Sequence, residues 1–260
     1  MNRLSTLTSL LGGVLLLSAS TAGADSASTT IPVFTSKIAA ARTASSPGGT
    51  SVTRAEMAGA LNSSFIRDMS VDSQERAYLG AQLGDATFLK GLTAQAKKYA
   101  TDFHELNDAA STEAPLSLNT VAGATSELFG ATGALSRSAR VMEGYIPNGQ
   151  GVANQVTLST QYTLFFGSGY DGPLYFEPIN PRELTERLKG QIMYGTPSLD
   201  EVDGAAAYVN EISRNSARLY VADWRTAGRG GPGDGGGYVV AAVSSDRRFV
   251  RMLEVLVWSE

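Results

Sequence analysis

The segment RFVRMLEVLVW, Arg248 to Trp258, is the most apolar run downstream of the first 24 residues. As a strand it sends Phe249, Arg251, Leu253, Val255 and Val257 to one side and Val250, Met252, Glu254, Leu256 and Trp258 to the other. Both sides are apolar, and a strand of that kind belongs inside a sheet with something packed over each face. Arg251 and Glu254 are its only charged interruptions, and they fall on opposite faces. At about 2 kcal/mol per fully buried aliphatic side chain, this segment is the largest apolar contribution of the C-terminal half.

Working back from it, residues 217–225 and 237–244 read as two further strands, joined by the glycine-rich stretch Arg225 to Gly237. Upstream, Ser198-Leu-Asp-Glu201 and Asn180-Pro-Arg-Glu183 carry capping-box spacing, so helices are expected after Ser198 and from Asn180 to about Tyr194. QVTLSTQYTLFF, residues 155–166, alternates apolar and polar positions as a half-buried strand does, and with Leu174 to Glu177 it reads as a hairpin. The result is an α+β domain at 152–260, mostly antiparallel, in the order ββααβββ.

The first half reads as helical. Thr53-Arg-Ala-Glu56 and Asp72-Ser-Gln-Glu75 are capping boxes, the first opening a helix to about Met69. The second opens the longest helical pattern, through Leu79, Leu83, Tyr99, Phe103 and Leu106, with Gly84, Asp85 or Gly91 as interruptions. Val121 to Tyr145 shows apolar residues about every 3.5 positions and reads as another helix. A helical bundle is therefore expected over 31–147, with its boundary in IPNGQG at 146–151.

Residues 1–24 have the form of a secretory signal: Arg3, an apolar stretch from Leu10 to Leu17, then Ala22, Gly23 and Ala24 as a small-x-small cleavage site. Cleavage is expected after Ala24, a secreted or periplasmic location follows, and residues 25–30 read as a disordered lead-in. The absence of cysteine excludes disulfides, thiolate metal sites and thiol nucleophiles. A net charge of −4 without any basic run gives no reason to expect nucleic acid as a partner.

Catalytic signals are partial. His104, the single histidine, stands beside Glu105 and four residues before Asp108; as a base or ligand it has no second ring to work with, and as a helix-surface residue it needs none. Asp200 and Glu201, with Asp203, form the densest carboxylate group, which a helix's first turn favours on its own account. Asp223 is a third acidic candidate. No nucleophile elbow, phosphate loop or zinc motif is present, and no metal or cofactor is expected. Tyr170, Tyr175, Asp223 and Trp224 are placed to line a ligand groove at one edge of the sheet, and Arg225 and Arg229 add charge in the glycine-rich loop.

These residues point to an exported, non-enzymatic binding or interaction protein, its partner a protein or small molecule, without a stable membrane anchor. Recognition would use the wet face of 155–166 or the loop 226–237. One alternative is a secreted hydrolase pairing Glu177 or Asp223 with Asp200 or Glu201 at about 5 to 10 Å. Another is a membrane-active or envelope-associated role for the helical half, through the small-residue segment 114–136.

Overall fold

The computed structural model describes residues 26–108, 117–119, 123–166, 174–213, 218–226 and 234–259. Strand β6 (Phe249–Ser259) lies inside a sheet, hydrogen-bonded to β2 (Ala139–Tyr145) on one side and to β5 (Gly235–Val243) on the other. With β1 (Ser117–Asn119), β3 (Glu177–Ile179) and β4 (Arg218–Arg225), the order is β1-β2-β6-β5-β4-β3, and every pairing is antiparallel.

Helices cover both faces, as the two-sided apolar pattern of β6 requires. On one face Leu253 and Val255 join Leu219, Val221 and Val240 beneath α9 (Pro181–Leu188) and α10 (Leu199–Asn210). On the other, Val250 and Met252 join Tyr220, Val239 and Ala241 beneath Leu158 and Tyr162 of α8 (Gln155–Phe166). A third, separate core holds Phe34, Met57, Leu61, Phe65, Leu79 and Phe103, from and around α1 (Ala27–Ala41), α2 (Arg54–Asn62), α3 (Ser73–Gly84) and α5 (Ala94–Leu106). The protein is thus an α+β fold, with a helical N-terminal part and an antiparallel sheet. Among the described residues no helix is long and apolar enough to cross a membrane.

The capping signals act as their chemistry demands. Thr53, Asp72, Asn180 and Ser198 each close a reciprocal box at the start of α2, α3, α9 and α10. The long pattern after Asp72 does divide where expected: Asp85 caps α4 (Ala86–Lys90), Gly91 ends it, and Thr93 caps α5.

Elsewhere the chain departs from its local pattern. Residues 155–166 form a helix, not a strand, because Asn154 Oδ1 accepts from the Thr157 amide at 3.1 Å and Asn154, Thr157, Leu158, Gln161 and Tyr162 share one buried stripe. Thr157 and Gln161 are 0% exposed, so the wet face expected there does not exist. Nor does its expected hairpin partner form: Leu174 to Phe176 are not strand, and β3, from Glu177, pairs with β4.

The helix expected over 121–145 gives way to α6 (Thr125–Phe129), α7 (Ala134–Ser138) and β2. Gly130, at φ 66°, ends α6 in a left-handed turn that the spacing of apolar residues does not register. The sheet therefore takes its second strand from ahead of the 146–151 link. Residues expected as a disordered lead-in start α1 at Ala27, where Thr30 is buried and its hydroxyl donates to the Glu75 carboxylate. Helix α2 stops at Asn62 rather than Met69, and α9 at Leu188 rather than Tyr194, ahead of a tight turn in which Ile192 and Gly195 exchange hydrogen bonds at 3.0 Å.

The two charges of β6 find partners on their own faces. Arg251 donates to Glu143 Oε2 at 2.7 Å and to the Tyr208 carbonyl at 2.5 Å, its guanidinium 3.9 Å from the Tyr208 ring centre. Glu254 accepts from Arg140 Nε at 2.6 Å and from the Tyr162 hydroxyl at 2.8 Å. Tyr162→Phe removes the only bond in this set that ties α8 to the buried carboxylate. It is expected to lower the unfolding free energy by about 2 kcal/mol, read from urea denaturation; an unchanged midpoint would show that the hydroxyl contributes nothing.

Candidate functional site

At one end of the sheet β4 and β6 finish where β5 begins. Trp224 stands opposite Gly237 and Trp258 opposite Gly236, so both tryptophans of the chain meet a row of glycines. A Cβ on Gly236 would lie 2.6 Å from Trp258 Nε1, and one on Gly237 would lie 1.9 Å from the Val255 carbonyl oxygen and 3.1 Å from the Trp224 ring. Strand glycines let an aromatic side chain and a neighbouring backbone approach that closely. The stretch expected as a flexible connection thus ends, at Gly235 to Gly237, as strand, with a register shift between Gly236 and Gly237.

A cleft of about 780 Å³ opens here. Trp224, Trp258, Tyr175 and Tyr238 give it aromatic walls, while Arg187, Arg225, Asp223 and Glu177 bring charge, and Ile66 and Met69 close it from the helical half. Arg187 reaches in from α9, pairs with Asp223, and lies 4.7 Å over the Tyr238 ring. Burial pulls the Arg187 pKa down, against the raising influence of Tyr238 and Glu177, and pushes the Tyr175 and Tyr238 hydroxyls far up, so both phenols stay protonated. Three polar atoms of wall residues, Arg187 Nε, Trp224 Nε1 and the Tyr175 hydroxyl, are buried behind the cleft surface and have no hydrogen-bond partner. Buried donors of that kind are rare in folded proteins and costly where they occur.

A second hollow, about 1170 Å³, adjoins the first through Glu177 and Arg187 and lies between α2, α5 and the edge strand β3. Arg54 commands it: its Nε donates to Glu183 Oε1 at 2.9 Å, its Nη2 to the Pro178 carbonyl at 3.0 Å, and it lies 4.5 Å over the Tyr99 ring. Deeper in, burial raises the Asp102 pKa, against the Lys98 ammonium that donates to it at 2.6 Å. Charges in this hollow largely answer one another.

Of the residues singled out from sequence, Tyr175, Asp223, Trp224 and Arg225 come together in the first cleft. Glu177 lies with them, so two carboxylates share the site, one of them tied to Arg187. Tyr170 and Arg229 lie outside the described residues. Asp200 is exposed on the first turn of α10, away from both hollows. Glu201 is buried at the same helix start and accepts from the Ser136 amide at 3.0 Å and the Ser198 amide at 3.1 Å. Burial raises its pKa, but these amides outweigh it and hold the carboxyl below its usual value, as a structural cap requires.

His104 packs against α3, its Nε2 2.9 Å from where a Cβ on Gly80 would sit, and Asp108 is paired with Arg247. No group of three metal-binding side chains exists among the described residues. Arg187, Tyr238 and Trp258 escaped the sequence-based selection. Trp258 comes to Gly236 through the pairing of β5 with β6, and Arg187 comes to Asp223 through the packing of α9, so neither contact shows in the local sequence.

Comparison with protein-family models, with curated proteins and with solved structures finds no match in any of the three.

Burial works to raise the Glu183 pKa, but Arg54 and the Asn180 amide outweigh it and hold the carboxyl below the usual range. The stability it adds is present above the ordinary glutamate pKa and is lost as pH falls through the lowered value. Glu183→Gln is expected to flatten the acid limb of the urea midpoint below about pH 4.3, by less than ~1 kcal/mol because the pair is partly solvated; an acid limb as steep as the wild type's would assign it to other groups.

Proposed function

We propose that this is an exported ligand-binding protein and that the aromatic cleft at the end of the sheet is its recognition site. The observation that carries the reading is the convergence of both tryptophans, Tyr175, Tyr238 and the Arg187–Asp223 pair on one cleft of about 780 Å³. Clefts of about 300 to 1,000 Å³ with apolar walls and few polar groups are the usual form of small-molecule sites. Both tryptophans and the Arg187–Asp223 pair supply the contact surface.

Hydrolysis is the alternative that one observation favours, since Glu177 and Asp223 share the cleft. It is the weaker reading, because Asp223 is bound to a cation and both an acid and a base are needed.

Because both tryptophans line the cleft, their emission reports on its contents. In a small-molecule screen, a ligand is expected to shift the emission of the wild type saturably, and Arg187→Met, with its circular dichroism unchanged, is expected to bind at least about tenfold more weakly. Emission that no compound moves, or a shift that survives Arg187→Met, would count against the cleft.

Export rests on residues 1–24. The protein recovered from outside the cytoplasm is expected to begin at Asp25 by N-terminal sequencing, and recovery from the cytosol with Met1 still in place would remove this part of the proposal.

A further inference from the structure

The chemistry of the cleft narrows its ligand, given that the cleft is the binding site. Among the described residues its charged lining consists of two cations, Arg187 and Arg225, and two anions, Glu177 and Asp223. These sum to zero, so the site presents no net field to steer an anion or a cation, and an ionised ligand would meet one like charge for every opposite one. A neutral molecule rich in hydroxyls has the opposite relation to such a set. Each hydroxyl both donates and accepts, so it can take a bond from a guanidinium and give one to a carboxylate.

Arg187 and Asp223 stand side by side as one donor–acceptor unit, the arrangement that two adjacent hydroxyls on a ring match. The aromatic component completes the set. Trp258 is 43% exposed and its ring lies against Gly236, with Tyr175 and Tyr238 elsewhere on the walls. The electron-rich face of an indole attracts the weakly positive C–H groups that line one face of a sugar ring, and it offers apolar area at little entropic cost.

We infer that the cleft binds a neutral saccharide, stacked on Trp258 and hydrogen-bonded by the Arg187–Asp223 pair. The space exceeds a single six-membered sugar ring, so a short oligosaccharide fits the class better than a monosaccharide.

The test uses the full mature chain, with tryptophan emission and calorimetry as readouts. The probes are neutral gluco-oligosaccharides and N-acetylglucosamine oligomers, galacturonate oligomers as an acidic counterpart, and 8-anilinonaphthalene-1-sulfonate as an apolar anion. Neutral oligosaccharides are expected to shift the emission saturably, with a Kd that changes less than about twofold between ~50 and ~500 mM salt. Trp258→Ala and Asp223→Asn, each with wild-type circular dichroism and thermal midpoint, are expected to weaken that binding by about tenfold or more.

A saturable response to galacturonate or the sulfonate alone, lost at high salt, overturns the neutral-saccharide inference while keeping the cleft as the site. Saccharide binding that both substitutions leave intact overturns the inference and the cleft together. A protein that none of these probes perturbs, but that responds to another compound in the wider screen, overturns the saccharide class only.

Discussion

The central strand carries an arginine and a glutamate where both sides are buried, and the rest of the sheet is arranged to meet that constraint. Arg251 is 8% exposed and Glu254 4%, on opposite faces. Left unpaired, either charge would cost several kcal/mol. The register of β2 against β6 solves both at once, setting Glu143 opposite Arg251 and Arg140 opposite Glu254. A slip of one residue would turn every side chain of β2 to the wrong face and separate both pairs. The covering helices complete the job, α10 through the Tyr208 carbonyl and the turn just past its end through Glu211, α8 through Tyr162. The polar end of Tyr162 in the stripe of α8 follows from this, since its hydroxyl meets the Glu254 carboxylate.

That constraint also explains which parts of the fold were readable in the sequence. The central position of β6, the strands on its β5 and β4 side, and the starts of four helices are set by interactions spanning a few residues: two-sided hydrophobicity, short connections and capping boxes. The errors lie where a distant partner decides. Arg140-Val-Met-Glu143 shows helical spacing alone, yet read antiparallel against Arg251-Met-Leu-Glu254 it is a charge complement. QVTLSTQYT fits a strand by alternation and a helix by its 157, 158, 161, 162 stripe, and the Asn154 cap together with the Tyr162–Glu254 contact goes with the helix. In the cleft, Asp223, Trp224 and Arg225 are neighbours along β4 and so visible in sequence. Arg187 and Tyr238 arrive from α9 and β5.

The unusual composition of the region before β5 takes on a physical meaning at the sheet end. Gly236 and Gly237 stand where a side chain would strike Trp258 on one hand and the Val255 carbonyl on the other. Their missing side chains let two indoles lie against the backbone of β5, and the cleft inherits its aromatic walls from that close approach. The same local composition that suggests slack in a sequence therefore creates tight packing in the structure.

The helical half keeps its own apolar core and meets the sheet mostly through ions: Arg54 with Glu183, Glu105 with Arg218 at 2.6 Å, and Asp108 with Arg247 at 2.5 Å. Leu106 is the exception, entering the core under β4 to β6. These pairs are largely shielded, with Arg54, Arg218 and Arg247 at 14%, 16% and 13% side-chain exposure, so salt screens them less than pairs on the open surface. The first cleft straddles this seam, with Met69 and Ile66 on one bank and Trp224 and Trp258 on the other. Anything seated there would touch both banks at once and so add its own contacts to the ion pairs that join them.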